Sequence, residues 1–543
     1  MSNNKIAYFS AEIGIDSTIK TYSGGLGILA GDTIKAMADL KVPFCAVTLL
    51  YKKGFFKQKI VDGLQQEEDD EWDFMSILEY TGKEVSVEIK QEEVFVKIWK
   101  YVHKSHTGGE VPIYFLDTDI EKNPLWAQGI TNQLYRGNRL YQELVLGIGG
   151  LRALKEIGEE QIEKYHMNEG HSAFLTLELY RNLGEEYDWD ISCVQEKCVF
   201  TTHTPIPAGH DKFKYEDLHE ALGEHSPLIP WQIEKLAGFD MLNTTKLAMS
   251  FSEYINAVSK RHEKVSQEMF PNFHIDSITN GVHCATWASS YMQDLFDREI
   301  PGWREDYSLL SEIDSVDSLD LLMTHNRSKD DLIDFVNHNN IVEGVHLEKD
   351  VLTIGFARRF IEYKDADMIF KNLDQLKSLK GRVQFIFAGK SHAHDGVGKS
   401  IMKKVIEYAR DLKDDVRIAF LENYNIDMAK LLVAGCDMWL NTPIPPNEAS
   451  GTSGMKAAVN GCLHFSTLDG WAIESFEKNG GGYPIIDYND FFSTLKYKVI
   501  PKYYCDSDSW AQEMKLAIGH AAAYFNTHRM AKEYVKKAYN LKL

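Results

Sequence analysis

The chain has 543 residues, enough for two to four domains at about 100–200 residues each. Hydrophobic residues make up 44% and charged residues 26%, the balance of a folded globular chain rather than a disordered one. Asp and Glu outnumber Lys and Arg by 80 to 59, a net charge of −21. That repels nucleic acid and anionic lipid as partners and leaves room only for a local cationic pocket.

Residues 6–10 form a short apolar run that predicts a strand. Gly24-Gly25-Leu26-Gly27 follows, then helical spacing over 28–40 and a second strand over 44–50. Strand, glycine loop, helix, strand is a βαβ unit, so the sheet is expected to be parallel. Gly147, Gly149 and Gly150 lie in an apolar helical pattern over 144–154, where they suit close helix packing better than dinucleotide binding.

The stretch 308–350 is polar and mostly helical and is read as a connection. Beyond it, 351–356, 383–388, 416–420 and 438–440 predict buried strands, with helices over 401–412 and 426–434. This is a doubly wound α/β domain whose ligands belong beyond the carboxyl ends of its strands. The expected division is therefore 1–330 and 331–543, two Rossmann-like domains facing across a deep cleft. The last helical segment, 510–543, is expected to pack back on the first domain.

The seven cysteines are dispersed without a C-x-x-C pair, the pattern of reduced thiols in a cytoplasmic protein. Residues 1–10 carry no basic segment followed by a long apolar run. No stretch approaches the ~20 apolar residues of a membrane span.

Three segments of the second half point to chemistry, and a fourth only imitates a metal site. In Asn447-Glu448-Ala449-Ser450-Gly451-Thr452-Ser453-Gly454-Met455-Lys456, small residues let backbone N–H groups approach an anion ahead of a helix. A lysine just inside that helix can be desolvated and so freed for covalent chemistry. On spacing alone, a glycine turn with a surface lysine is an equal reading. Arg358-Arg359-Phe360-Ile361-Glu362-Tyr363-Lys364 follows a predicted strand and offers three cations for an oxyanion, or else a solvated basic turn. Phe420-Leu421-Glu422-Asn423-Tyr424 follows another strand. Ser391-His392-Ala393-His394-Asp395 has H-x-H-x-D spacing, but no further cluster completes a metal site, and none is expected.

These segments resemble the glycogen (α-glucan) phosphorylase family, short microbial type, from about residue 6 to 474. The first matches its E-A-S-G-T-x-x-M-K motif and continues through Asn460-Gly461 and Thr467-Leu468-Asp469-Gly470. The resemblance implies a GT-B-type fold and pyridoxal 5′-phosphate as a covalent imine on Lys456. Thr452, Ser453, Tyr424, Arg358, Gly24 and Gly25 would lie around the cofactor. Arg359 and Lys364 match the residues that hold the substrate phosphate. Glu448, Ser450, Gly451, Tyr363, Asn280 (in Thr279-Asn280-Gly281) and His171 would lie at the sugar. His171 stands in His166-Met167-Asn168-Glu169-Gly170-His171, which aligns with the family's L-N-D-x-H.

Two departures bear on sugar selectivity. Gly14 stands where the family has a tyrosine, and Arg136-Gly137-Asn138 replaces an acidic loop. No counterpart of the phosphorylation and effector segments of animal members is present.

The implied activity is retaining phosphorolysis of glycogen or maltodextrin to α-glucose 1-phosphate, with α-glucan and inorganic phosphate as partners. Members are commonly dimers, so a homodimer is among the expectations, though no segment marks a dimer surface. Two other readings stay open here: a nucleotide-sugar-dependent glucan synthase of the same fold, and a non-catalytic glucan-binding protein.

Overall fold

The computed structural model describes residues 5–159, 161–223, 228 and 230–541, which fall into two compact units. The first holds the described residues up to Phe55, Asp69–Thr279 and those from Met530 onward. The second holds Phe56–Glu68 and Asn280–Arg529. The border thus falls at Thr279–Asn280, whereas residue 330 stands inside a helix of the second unit, Ser318–Asn339. That helix lies in the stretch read as a connection. Its Leu321, Leu332, Ile333 and Val336 are buried, and it packs against Ile426–Gly435, so its charged residues are the outer face of an amphipathic helix. The reading of the chain's N-terminus touches Met1–Asn4, which lie outside the described residues.

The first unit is built on a nine-stranded sheet. Its order is Asp276–Ser277, Tyr254–Ala257, Cys198–Thr201, Ile162–Asn168, Lys5–Ser10, Phe44–Leu49, Glu110–Asp117, Glu92–Lys104 and Glu79–Ile89. The first seven run parallel, and the last two are added by antiparallel pairing, Glu92–Lys104 alone running against the rest. Both faces of the central strand are covered: Ala7 and Phe9 enter one apolar cluster, Ile6 and Tyr8 the other. Two-sided burial is why this strand reads as an unbroken apolar run.

The helix Gly25–Asp39 starts earlier than its sequence pattern, because Gly25 and Gly27 are already helical. Gly147 and Gly150 are packing glycines, as expected. A Cβ on Gly147 would stand 2.6 Å from the Leu175 amide, and one on Gly150 2.7 Å from the Phe9 ring. The chain's end joins this unit through Tyr539, whose hydroxyl lies 2.7 Å from His166 Nδ1, and Tyr534, which accepts from Asn256 Nδ2 at 3.0 Å.

The second unit has six parallel strands in the order Ile418–Leu421, Val383–Ala388, Leu352–Ala357, Met438–Asn441, Leu463–Thr467, Tyr483–Ile485. In chain order this is 3-2-1-4-5-6, the doubly wound arrangement. The helix read over 401–412 begins at Gly396, capped by Asp395, which accepts from Gly398 N at 2.8 Å. A hairpin, Lys57–Val61 with Leu64–Glu68, also belongs to this unit although it is embedded in the first unit's sequence. Asp62 (φ 51°) and Gly63 (φ 77°) make its tight left-handed turn. No helix among the described residues is long and apolar enough to cross a membrane. All seven cysteines are free thiols, and six are buried.

Candidate functional site

Strand order in the second unit reverses between Leu352–Ala357 and Met438–Asn441. Chains leaving two such strands diverge, and the crevice between them is where parallel α/β sheets bind ligands. Arg358 to Lys364 leave the first strand, and the segment ending in Lys456 leaves the second.

These two segments meet in a buried ion cluster. Arg358 Nη2 donates to Glu448 Oε2 at 2.6 Å, and Lys364 Nζ donates to the same oxygen. Arg358 Nη1 donates to Asn441 Oδ1, and Asn441 Nδ2 in turn to Ser466 Oγ at 3.0 Å. Burial alone would lift the Glu448 carboxyl. Arg358 and then Lys364 overcome that and hold it at about 2, so it is ionised at any physiological pH. Burial and then Arg358 push the Lys364 ammonium below its ordinary value, against the pull of Glu448. Two cations share one carboxylate, so the cluster keeps positive charge for an anion. Its Arg358 Nε is buried without an acceptor among the described residues.

The glycine loop is fixed from below by Asp469, which accepts from Glu448 N at 2.8 Å and from Gly470 N at 2.9 Å. Gly470 (φ 54°) must be glycine on two counts, since a Cβ there would also stand 2.3 Å from the Ser450 carbonyl oxygen. Gly451 is also left-handed, at φ 81°. Ser450 Oγ is buried without a partner among the described residues. Ser453 Oγ accepts from Trp439 Nε1 at 3.0 Å, and Thr452 O accepts from Lys456 N at 3.2 Å.

Lys456 lies in the helix Ser453–Val459, with its side chain buried and its Nζ 4.1 Å from the Trp287 ring centre. Asn460 ties this helix to the segment bearing Asn280: its Nδ2 donates to Trp287 O at 2.9 Å and its Oδ1 accepts from Ser289 N at 2.8 Å. Asn280 is buried, and its Oδ1 has no partner among the described residues.

Three more of the expected residues belong to this unit. The Tyr363 ring centre is 4.4 Å from Lys364 Nζ. Arg359 is exposed. Tyr424 is half-buried in the loop after Ile418–Leu421. In the H-x-H-x-D segment, Asp395 serves as the helix cap and His392 Nδ1 accepts from His394 N at 3.3 Å.

Gly24, Gly25 and His171 belong to the first unit. The Gly24 amide donates to Glu12 Oε2 at 3.2 Å, beside Ser23 N at 2.7 Å, and Tyr135 OH donates to Glu12 Oε1. A Cβ on Gly24 or Gly25 would meet nothing within 4 Å, so that side of the loop is open. His171 Nε2 is 3.5 Å from Asp211 Oδ2, which accepts from Arg139 Nη2 at 2.7 Å. Burial and then Arg139 push His171 down to about 4, so it is neutral.

Next to it Glu169, at φ 72°, accepts from His203 N at 2.8 Å and Thr204 Oγ1 at 2.9 Å, while His203 Nε2 is 2.6 Å from Asn168 Oδ1. Burial lifts Glu169 to about 7. Sequence reasoning picked out His171 but missed Glu12, Glu169, His203 and Asp211. A signal existed for three of them: each stands just past the carboxyl end of a parallel strand, at Ser10, Asn168 or Thr201.

Gly14 lies against the helix that follows, where a Cβ would be 3.0 Å from Ile28 Cδ1 and 3.1 Å from the Tyr22 ring. Asn138 caps the helix Arg139–Leu144, accepting from Tyr141 N at 3.2 Å.

A sequence model of the family "Carbohydrate phosphorylase" matches residues 17–118 and 231–486. The chain belongs to the carbohydrate phosphorylase family. Among its relatives, a maltodextrin phosphorylase of Thermococcus litoralis is 36% identical, over 98% of this chain and 70% of its own. A glycogen phosphorylase of Aquifex aeolicus is 34% identical, over 98% and 86%. An uncharacterized protein of Methanocaldococcus jannaschii is 32% identical, over 98% of this chain and 99% of its own. This phosphorylase-family chain has the mixed α/β fold with parallel sheets expected of its family.

Proposed function

We propose that the chain is an α-glucan phosphorylase that holds pyridoxal 5′-phosphate on Lys456 and transfers the non-reducing-end glucosyl unit of glycogen or maltodextrin to inorganic phosphate. The observation that carries the reading is the buried Arg358–Glu448–Lys364 cluster at the strand reversal, on the loop that leads to a buried lysine amine. A phosphorylase needs charge for a phosphate and a site for its cofactor, and this arrangement offers both. Arg358 Nε is a buried donor without an acceptor among the described residues, which suits a second phosphate, and the Lys456 amine against Trp287 suits the carbonyl end of the cofactor.

When bound, pyridoxal phosphate supplies a phosphate group that supports proton transfer to and from the substrate phosphate. On this reading Arg359 and Lys364 hold inorganic phosphate. Glu448, Ser450, Gly451, Tyr363, Asn280 and His171 hold the sugar, while Thr452, Ser453, Tyr424, Gly24 and Gly25 stand near the cofactor. Inorganic phosphate gives a proton to the glycosidic oxygen, the bond to C1 breaks, and a phosphate oxygen takes C1 with retention. The products are α-glucose 1-phosphate and a glucan one unit shorter. Lys364 stabilises the charge that grows on the phosphate, and Glu448, kept ionised, orients Lys364. Dispersed free thiols favour the cytoplasm as the working compartment, and a homodimer is the assembly we expect.

Purified protein should release glucose 1-phosphate from maltooligosaccharides only with phosphate present. It should show the absorption of a protonated pyridoxal imine, and Lys456→Ala should lose both. A colourless protein that requires a sugar nucleotide would instead be a synthase, and glucan binding without glucose 1-phosphate would mark a binding protein. Lys364→Ala should lower turnover at saturating glucan about 10²–10³-fold, the loss of one transition-state donor. Steady-state rates at varied phosphate check this, and an unchanged rate would remove Lys364 from the site.

A further inference from the structure

We infer that the hairpin at residues 56–68 is a brace for the site loops of the second unit, with Gln58 and Gln65 as its positioning residues. The inference rests on the proposed function only for what the braced residues bind. The hairpin's inner face is polar: Gln58 and Gln65 are both buried, diagonal to each other across the strand pair. Burying two amides is unfavourable unless each finds partners, and here every partner lies in one of two loops or in the hairpin itself, save one long contact to Met402 Sδ at 3.6 Å.

Gln65 pairs with the Ser391 peptide at two points, donating from Nε2 to its carbonyl at 2.9 Å and accepting its amide on Oε1 at 2.9 Å. Gln58 spans both loops. Its Nε2 donates to Gly389 O at 2.9 Å and to Gln65 Oε1 at 2.9 Å, and its Oε1 accepts from Asn423 N at 2.7 Å. Asn423 returns a bond, accepting the Gln58 amide on Oδ1 at 3.1 Å, and Glu422 accepts the Ile60 amide at 2.7 Å. Asn423 is left-handed at φ 58° and directly precedes Tyr424.

The first loop in turn carries the cationic segment. Arg358 N donates to Ala388 O at 3.2 Å and Phe360 N to Lys390 O at 3.0 Å, so the backbone on either side of Arg359 hangs on residues 388–390. A continuous set of hydrogen bonds therefore runs from two glutamines of the hairpin to the Arg358–Arg359 backbone on one side and to the Tyr424 loop on the other. Fixing both loops from one element sets the spacing between the phosphate-binding cations and Tyr424, and small displacements of such groups are costly.

Amide hydrogen exchange on the full-length protein tests the brace directly. In the wild type, the amides of Ser391 and Asn423 should be protected like those of strand ends. Gln65→Leu should speed exchange at Ser391, and Gln58→Leu at Asn423, by about fivefold or more, the loss of one hydrogen bond. In rate assays, Gln58→Leu should raise the KM for phosphate roughly tenfold while the KM for glucan stays within about twofold.

Free exchange of both amides in the wild type would overturn the brace, whether or not any variant folds. An unchanged KM for phosphate in Gln58→Leu, with an active wild type, would overturn it too. A wild type that releases no glucose 1-phosphate would sink the proposed function instead, and the exchange data would still decide the brace.

Discussion

Glu448→Gln should destabilise the second unit by about 3–5 kcal/mol, and inorganic phosphate should restore much of that loss. In the wild type, Glu448 is the carboxylate to which both Arg358 and Lys364 donate. Neutralising it leaves two cations together in a place where water cannot screen them. Breaking a buried ion pair from one side is costly for that reason, more so than the pair is stabilising.

An added anion can take the vacated role. At a phosphate concentration 100 times its dissociation constant, binding returns about 2.7 kcal/mol, and the gain should exceed that seen with the wild type. Denaturant unfolding with and without phosphate reads both effects. A variant as stable as the wild type, or one that phosphate does not help, would show that the cluster is not an anion site.

Lowering the pH from 7 to 5 should unfold the first unit well before the second. Burial holds five of its histidines neutral, with His166 and His203 at about 3 and His171, His210 and His262 at about 4. An unfolded histidine takes up its proton near 6.5, so below that pH the unfolded unit binds more protons than the folded one at each of these sites. Three carboxyls oppose the trend, and in the first of them burial lifts Asp117 above its ordinary value. Burial raises Glu143 well above its ordinary value and Glu169 to about 7, so each keeps a proton in the folded unit that the unfolded chain has released above about 4.5.

Near pH 5 the excess is about two to three protons, which costs about 3–4 kcal/mol of stability for each pH unit. In the second unit, burial holds His464 neutral in the same way, at about 3. Limited proteolysis at stepped pH should therefore cut within residues 162–262 first. Simultaneous loss of both units, or earlier loss of the second, would contradict the assignment of these histidines as neutral.

Strands covered on both faces were easy to read from sequence. Val383–Ala388 and Leu352–Ala357 carry apolar residues on alternate and adjacent positions alike, because helices cover both sides of their sheet. The glycine loop and the cations after a strand stood out by residue type, but spacing alone left each with an ordinary alternative, a glycine turn and a solvated basic turn, and their roles are what the family resemblance implies.

The hairpin was not legible. Its inward positions are glutamines, so the sequence offers no alternation of apolar and polar residues, although Asp62-Gly63 is a strong turn signal. Ser318–Asn339 read as a connection because its outer face carries charge, whereas the compact units divide at Thr279–Asn280. The ion cluster around Glu448 joins residues 84 and 90 positions apart, which no local pattern encodes. The crowd around Glu169 and Asp211 joins strand ends that are neighbours only once the sheet has formed.

The allocation of residues 56–68 to the second unit has a consequence for how the molecule is made. Gln58 leaves the ribosome 331 residues ahead of the glycine carbonyl it will bind. During that interval its strand pair has no mate on its inner side. An oily inner side would invite sticking to other nascent chains, whereas amides stay hydrated until Gly389, Ser391 and Asn423 arrive. A gene fragment starting at Asn280 would never receive this piece, so adding a peptide spanning 56–68 should be what such a fragment needs to order its loops.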